Sequence, residues 1–176
     1  KALETIGYED WKDKQKAALA EGRHIGIGMA FELTPEGGTI PGTMVAGYDS
    51  SSVRVGPDGT VRVLTGITSP GTHNGTAIAQ IVADELGIDM DRIEVLQGDT
   101  NSSPYGFGNY SGRSTIVGGG SAALAAKDVR DKINAVAAAL LEVEIDTLSL
   151  SEGVFSSSDN GDATVTFAEV CYASYT

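Results

Sequence analysis

Apolar and polar residues follow helical spacing in some stretches of the chain and strand-like spacing in others. Residues 9–21 mix charges of both signs with helix formers, and Gly22 follows as a stop signal, which predicts a short surface helix. Residues 23–33 combine β-branched and aromatic side chains with small ones, which predicts a strand packed closely against another backbone.

A β-hairpin is predicted in the next part of the chain. Two extended runs, 46–55 and 60–66, are separated by the residues Gly56-Pro57-Asp58-Gly59. Because proline fixes φ and the Asp-Gly pair supplies a left-handed position, the two runs are expected to pair as antiparallel strands.

Two longer helices are predicted after the hairpin. Apolar residues recur at helical spacing over about 76–86, with Gly87 as the C-cap, and residues 92–96 follow as a strand. A loop spans roughly 98–112. The longest helical stretch, about 115–143, has a broad apolar face rich in alanine, which implies close contact with a neighbouring element.

The C-terminal part alternates short extended segments, 147–150 and 153–156, with turns, and a last helix is expected to begin near Thr166. This order of elements predicts an α+β fold, in which a mixed β-sheet packs against two main helices. The sheet is expected to contain the 23–33 strand, the hairpin and the 92–96 strand.

Composition and charge narrow the classes of function. With 176 residues, of which 41% are hydrophobic, the chain can bury one core, so residues 1–176 are expected to form a single domain. The formal net charge of −12 opposes binding to nucleic acid or to an anionic membrane surface. A phosphorylated ligand would therefore need local donors in an ordered site.

Cysteine usage and the chain ends indicate a cytoplasmic fragment. Cys171 is the single cysteine, which excludes an internal disulfide and a cysteine-built zinc or iron–sulfur site. The sequence has no run of 18 apolar residues and no signal-peptide pattern. The missing initiator Met indicates part of a larger protein. The residues themselves suggest no metal-ligand set.

Two loops rich in Gly, Ser and Thr, 71–76 and 109–115, lead directly into predicted helices. Backbone N–H groups at a helix N-terminus bind phosphate and other anions, so the loops predict a phosphorylated ligand. In the second loop, hydroxyls, free amides and the guanidinium of Arg113 suit a pyrophosphate. The alternative interpretation is that both loops are only helix caps and turns.

An ordered series of short motifs in the same region resembles a known family. The series comprises Thr65-Gly66, Gly71, Thr76, residues 79–87, Ile93-Glu94-Val95, Gly98-Asp99-Thr100, Pro104-Tyr105-Gly106, Gly108, Arg113-Ser114-Thr115 and Gly118-Gly119. It is similar to the molybdopterin-binding large subunit of the xanthine dehydrogenase, aldehyde oxidase and aerobic carbon monoxide dehydrogenase family. The resemblance covers nearly the whole chain and identifies it with part of that family's second cofactor-binding subdomain.

The resemblance implies cofactor-binding residues in both loops. The family's first loop reads Gly-Gln-Gly-His-Glu-Thr, and Thr72 stands here in place of its pterin-binding Gln. The second loop reads Gly-Ser-Arg-Ser-Thr in the family, and Ser111-Gly112 replaces its Gly-Ser here. The cofactor contacts implied by the resemblance are Gly71, Thr72, His73, Asn74, Ser111, Gly112, Arg113, Ser114 and Thr115.

For activity, the resemblance implies part of a molybdenum hydroxylase, which hydroxylates an aldehyde, an N-heterocycle or a similar small substrate with oxygen derived from water. The implied cofactor is molybdopterin, with the cytosine dinucleotide as a candidate form, and its dithiolene rather than the protein holds the metal. Iron–sulfur and flavin groups would lie only on partner domains or subunits. The rest of the large subunit would be a further partner of this chain. No residue here matches the family's catalytic glutamate, so the isolated chain is expected to be inactive.

Two other functions remain open at this point. One is a non-catalytic domain that docks a partner subunit, an interpretation motivated by the missing Gln at Thr72. The other is a general nucleotide-phosphate-binding module, which would bind nucleotides such as CMP or ADP by itself.

Overall fold

Helices and strands follow each other along the chain in the mixed order of an α+β fold. The computed structural model describes residues 2–30, 48–110 and 112–176. The chain divides into two units, Lys1–Thr34 and Pro35–Thr176. In the described part of the chain, none of the helices is long and apolar enough to cross a membrane.

The first unit holds two helices, α1 (Ala2–Ile6) and α2 (Tyr8–Ala20), and α2 confirms the predicted surface helix. The strand predicted over 23–33 is wrong as far as Ala30, the last residue described there, because this stretch forms no strand. The close packing against another backbone that was predicted for this stretch is also absent among the described residues, because a Cβ added at Gly26 or Gly28 would meet no described atom within 4 Å.

In the second unit, a three-stranded mixed sheet contains the predicted hairpin. Its strands are β1 (Ser51–Val55), β2 (Val61–Thr65) and β3 (Ile93–Gln97). The pairing is antiparallel between β1 and β2 and parallel between β2 and β3. Gly59 in the hairpin turn adopts the expected left-handed φ of 78°. Residues 46–47 of the predicted first run lie outside the described residues.

The two main helices are α3 (Asn74–Leu86), which connects the parallel strands β2 and β3, and α4 (Gly119–Leu141) beside it. Gly87, with φ 65°, is the C-cap of α3, as predicted. A π-helical turn, Ser114–Gly118, precedes α4, so the regular helix begins later than predicted. The alanine-rich face of α4 is in close contact with its neighbours, since three of its alanines are 0% exposed: Ala122, Ala126 and Ala137.

The C-terminal part forms a second, antiparallel sheet of β4 (Leu148–Ser151), β5 (Val154–Ser157) and β6 (Thr164–Thr166), followed by α5 (Phe167–Ala173). The predicted extended segments and last helix are confirmed. One hydrophobic cluster joins β2, α3, α4, β5 and α5. The core thereby fixes the first sheet against α3 and α4, and the two candidate loops follow the C-terminal ends of β2 and β3.

Candidate functional site

The first candidate loop leads from β2 into α3. Gly71, Thr72 and His73 are exposed to solvent. Gly71 has φ 92°, and no described atom lies within 4 Å of the point where a Cβ would be. His73 adopts φ 53°, a left-handed conformation that is uncommon for residues other than glycine. This end of α3 therefore presents backbone and side-chain donors to solvent.

Asn74 is buried and holds the first loop from inside. Its backbone N–H donates to Ser69 Oγ over 3.1 Å, and its Nδ2 donates to Thr68 O over 3.0 Å. The same Nδ2 donates to Oδ1 of Asn109 in the second loop, also over 3.0 Å. Asn74 thus fixes its own loop and connects it to the other one.

The second candidate loop follows β3 and ends in the π-helical turn. Ser111 lies outside the described residues, Gly112 is half-buried and Thr115 is exposed. Ser114 is buried, and its hydroxyl donates to Oδ1 of Asn109. This one oxygen therefore accepts a hydrogen bond from each loop. The structure brings together two motifs that the sequence keeps apart.

Arg113 is almost completely buried, with 1% of its side chain exposed. Its Nη1 donates to Asp49 Oδ2 over 2.9 Å and to Gly108 O over 2.6 Å. Its Nη2 donates to Tyr48 O over 2.5 Å. The sequence interpretation directs this guanidinium to a pyrophosphate, whereas in the structure it faces acceptors of the protein itself. A buried guanidinium needs such a counter-charge, and Asp49 supplies it.

Sequence reasoning missed two residues that organise the site, Asp49 and Asn109. Asp49 lies 64 residues before Arg113, so no local spacing connects them. Asn109 begins the second loop, where an Asn is also a common turn residue. Only its position between Asn74 and Ser114 gives it a distinct role.

A cavity of about 390 Å³ lies beside the C-terminal ends of β2 and β3. Ligand sites commonly form at this edge of parallel strands. The hydroxyl of Ser103 is buried in the cavity lining without a hydrogen-bond partner among the described residues. The lining comes from the loops after both strands: Thr65, Gly66, Thr68, Gly98, Asp99, Thr100, Ser103, Pro104, Tyr105 and Gly106.

The donors that the two loops present fit an anionic cofactor. The exposed hydroxyls of Thr72 and Thr115, the imidazole of His73 and the open backbone at Gly71 can all donate hydrogen bonds. No group of three or more His, Cys, Asp or Glu side chains that could hold a metal ion occurs among the described residues.

The chain is similar to known proteins over most of its length. The profile of the molybdopterin cofactor-binding domain matches residues 1–176. The chain is 36% identical to the carbon monoxide dehydrogenase large chain of Afipia carboxidovorans, over 99% of this chain and 23% of that protein. It is 35% identical to the 6-hydroxypseudooxynicotine dehydrogenase complex subunit gamma of Paenarthrobacter nicotinovorans, over 88% of this chain and 18% of that protein.

Two solved structures share the fold over 98% of this chain. Quinoline 2-oxidoreductase from Pseudomonas putida 86 matches with a TM-score of 0.76 and 30% identity, over 22% of its own chain. Cu,Mo-CO dehydrogenase in the carbon monoxide reduced state matches with a TM-score of 0.72 and 32% identity, over 23% of its chain. The chain thus spans less than a quarter of the length of these relatives. The chain belongs to the molybdopterin cofactor-binding domain family.

Proposed function

We propose that this chain forms part of the cofactor site of a molybdenum hydroxylase, which hydroxylates an aldehyde, an N-heterocycle or a similar small substrate with oxygen derived from water. The observation that carries the proposal is the joining of the two loops at Oδ1 of Asn109. Two family motifs that are distant in sequence thereby form one surface at the ends of β2 and β3. The names of the relatives, which describe oxidoreductases, support the same reaction class.

In this proposal, the exposed residues of both loops contact the cofactor, and the buried ones hold the loops in place. The exposed contacts are Gly71, Thr72, His73 and Thr115. Asn74 and Ser114 fix the loops through Asn109. Ser111 and Gly112 of the second loop are the remaining proposed contacts, whereas Arg113 is buried and belongs with the residues that hold the loop in place.

When bound, molybdopterin supplies the redox chemistry through a metal held by its dithiolene. The chain itself supplies binding and orientation. Its net charge of −12 repels an anionic ligand, so closely placed donors must provide the attraction. Thr72 offers one hydroxyl in place of the amide of a Gln, which shifts more of the binding to His73 and to the backbone N–H groups of the loop.

Other parts of the enzyme complete the site. We assign iron–sulfur and flavin groups to partner domains or subunits, and the cytosine dinucleotide form to the cofactor. The relatives' names, a large chain and a complex subunit gamma, support a multi-subunit enzyme. We propose that residues 1–176 act as one part of a larger cofactor-binding domain and that the protein is cytoplasmic, as its single cysteine suggests.

Expression of the full-length protein in a molybdenum-sufficient host tests the proposal. Metal analysis and the fluorescence of oxidatively released pterin should detect stoichiometric molybdenum and pterin. An intact complex that lacks both would instead favour a docking domain. Binding of CMP or ADP by the chain alone would favour a nucleotide module. The chain alone should not hydroxylate aldehydes or N-heterocycles, because half of a shared pocket leaves the ligand exposed.

A further inference from the structure

The ion pair between Asp49 and Arg113 lies beneath the second candidate loop. Both side chains are closed off from solvent, with 0% and 1% exposed, and 2.9 Å separates Asp49 Oδ2 from Arg113 Nη1. Two charges are buried at such a site only where hydrogen bonds satisfy both of them. Asp49 Oδ1 also accepts from the Ser50 N–H over 3.0 Å, and Arg113 donates to two backbone carbonyls.

This network joins segments that come from different parts of the chain. Gly66 follows β2 and Gly106 belongs to the loop after β3, and their backbones cross in direct contact. A Cβ on Gly66 would lie 2.7 Å from Gly106 Cα and 2.7 Å from Asp49 Oδ1. The hydroxyl of Ser50 donates to Tyr105 O next to the crossing. The carboxylate of Asp49 therefore sits where three segments meet.

Aromatic side chains of the same loop close over the guanidinium. The ring centres of Phe107 and Tyr110 lie 5.9 Å and 5.3 Å from Arg113 Cζ. A cation is attracted to the face of an aromatic ring, and the attraction grows when water is excluded. Phe107 also packs edge-on against Tyr105, with 5.7 Å between ring centres. Residues 105–110 are thus wrapped around Arg113.

From this geometry we infer that Asp49 and Arg113 are positioning residues of the cofactor loop and that the Arg113 guanidinium does not bind the anion itself. This inference rests on the proposed function. The guanidinium pairs with the carboxylate of Asp49 and also donates hydrogen bonds to the backbone carbonyls of Tyr48 and Gly108. Its neighbour Ser114, together with Asn109, forms the bridge to Asn74. Breaking the ion pair releases residues 105–110 from the sheet and removes Asn109 from the bridge.

Lysine cannot replace Arg113 in this role. Its ammonium is a compact point charge, whereas the planar guanidinium directs donors to both sides at once. A lysine could keep the pair with Asp49 but could not also reach Tyr48 O and Gly108 O with the same geometry. The Arg113→Lys variant therefore keeps the charge and loses the connections to the loop.

Hydrogen–deuterium exchange in the cofactor-free, full-length protein tests the positioning role directly. The variants are Asp49→Asn and Arg113→Lys. The matched control is Glu94→Gln, which breaks the exposed Arg62–Glu94 pair on the same sheet, where 2.8 Å separates the charged groups and the side chains are 67% and 56% exposed. In Asp49→Asn, amides of residues 105–110 should exchange on the order of 100-fold faster, because a buried charge loses its partner.

Amides of α3 and α4 should keep their protection in these variants, and Arg113→Lys should accelerate exchange in 105–110 by about 10-fold. The control should change neither region. If Asp49→Asn unfolds the whole domain, the exchange rates of Arg113→Lys alone test the positioning role, because this variant preserves the charge pair. Unchanged exchange in residues 105–110 of Arg113→Lys would overturn the positioning role.

Molybdenum and pterin content of the same proteins, expressed in a molybdenum-sufficient host, tests the link to the cofactor. Wild type and Glu94→Gln should be loaded, whereas Asp49→Asn and Arg113→Lys should not. A wild type without cofactor refutes the proposed function, whatever the variants do. A loaded wild type beside equally loaded variants overturns this inference alone. Cofactor loss in Arg113→Lys with normal protection of residues 105–110 would indicate direct contact by the guanidinium, and also overturns it.

Discussion

The side chain of Asn74 donates a hydrogen bond to the side chain of Asn109, with 3.0 Å between Nδ2 and Oδ1. The two residues lie 35 positions apart, at the end of one loop and within another. Because Asn109 Oδ1 also accepts from the hydroxyl of Ser114, the bond connects the starts of two helices. The candidate cofactor surface depends on this connection.

Replacing each asparagine of this pair with aspartate should show which residue donates the hydrogen bond and which one accepts it. Asn109→Asp keeps the accepting oxygen, so the free energy of unfolding should change by less than about 0.5 kcal/mol. Asn74→Asp places an acceptor against Thr68 O and Asn109 Oδ1 in a buried position, and should cost about 1–3 kcal/mol. Urea unfolding of both variants measures the difference. Equal destabilisation would contradict the assigned direction of the hydrogen bond.

Alanine substitutions at two glycines before and within α4 should have opposite effects. A Cβ at Gly118 would lie 2.8 Å from Cδ1 of the fully buried Ile67, so Gly118→Ala should destabilise by about 1–3 kcal/mol. At Gly120 a Cβ meets no described atom within 4 Å, so Gly120→Ala should stabilise the helix by about 0.5–1 kcal/mol. Denaturant unfolding compares the stability of the two variants. If Gly120→Ala lost as much stability as Gly118→Ala, the close packing of Gly118 against Ile67 would be ruled out as the cause.

The thiol of Cys171 should be unreactive in the folded protein. Burial raises its pKa from 9.0 to about 11. A pKa above the unfolded value means that the stabilising effect is fully present below pH 9 and is lost as pH rises to about 11. Over that range, wild type should lose stability relative to Cys171→Ala. A pH-independent difference between the two, or rapid thiol labelling of the native protein at neutral pH, would contradict this.

The first turn of α5 should respond to acid. The backbone N–H and the hydroxyl of Thr166 donate to Glu169 Oε2 over 2.8 Å and 2.7 Å, which lowers the pKa of Glu169 below its ordinary 4.5. The stabilisation by Glu169 is therefore present above pH 4.5 and is lost as pH falls through the lowered pKa. Unfolding measured across this range should show the loss in wild type and not in Glu169→Gln. If the stability of wild type and of Glu169→Gln fell in parallel with pH, an ionised Glu169 carboxylate could not be the acceptor for Thr166.

Restoring the family's amide at position 72 should increase cofactor retention. Thr72 is exposed, so Thr72→Gln should not affect folding. One added hydrogen bond corresponds to about 2–10-fold tighter binding. The rate at which the full-length protein loses molybdenum and pterin during dialysis provides the measurement. Thr72→Asn is the control, because it carries the same amide on a shorter side chain and should give little gain in retention. An equal gain in both variants would argue against a cofactor contact that depends on side-chain length.

Much of the second unit could be predicted because its signals are local. The Asp58-Gly59 turn and the Gly87 cap depend on the φ angles of single residues, and the apolar spacing of α3 depends on one helix face. The prediction of a strand over 23–33 was wrong over the described part for the opposite reason. A strand exists only if another strand pairs with it, and composition cannot supply that neighbour.

The sequence by itself determined the α+β order, the two Gly, Ser and Thr-rich loops and the family whose motifs they resemble. Only the tertiary structure decided that the loops meet at Asn109 and that Arg113 turns inward to Asp49. The physical reason is that hydrogen bonds and buried ion pairs act through space. Residues 64 positions apart become partners only once β1, β2 and the loop after β3 have packed together.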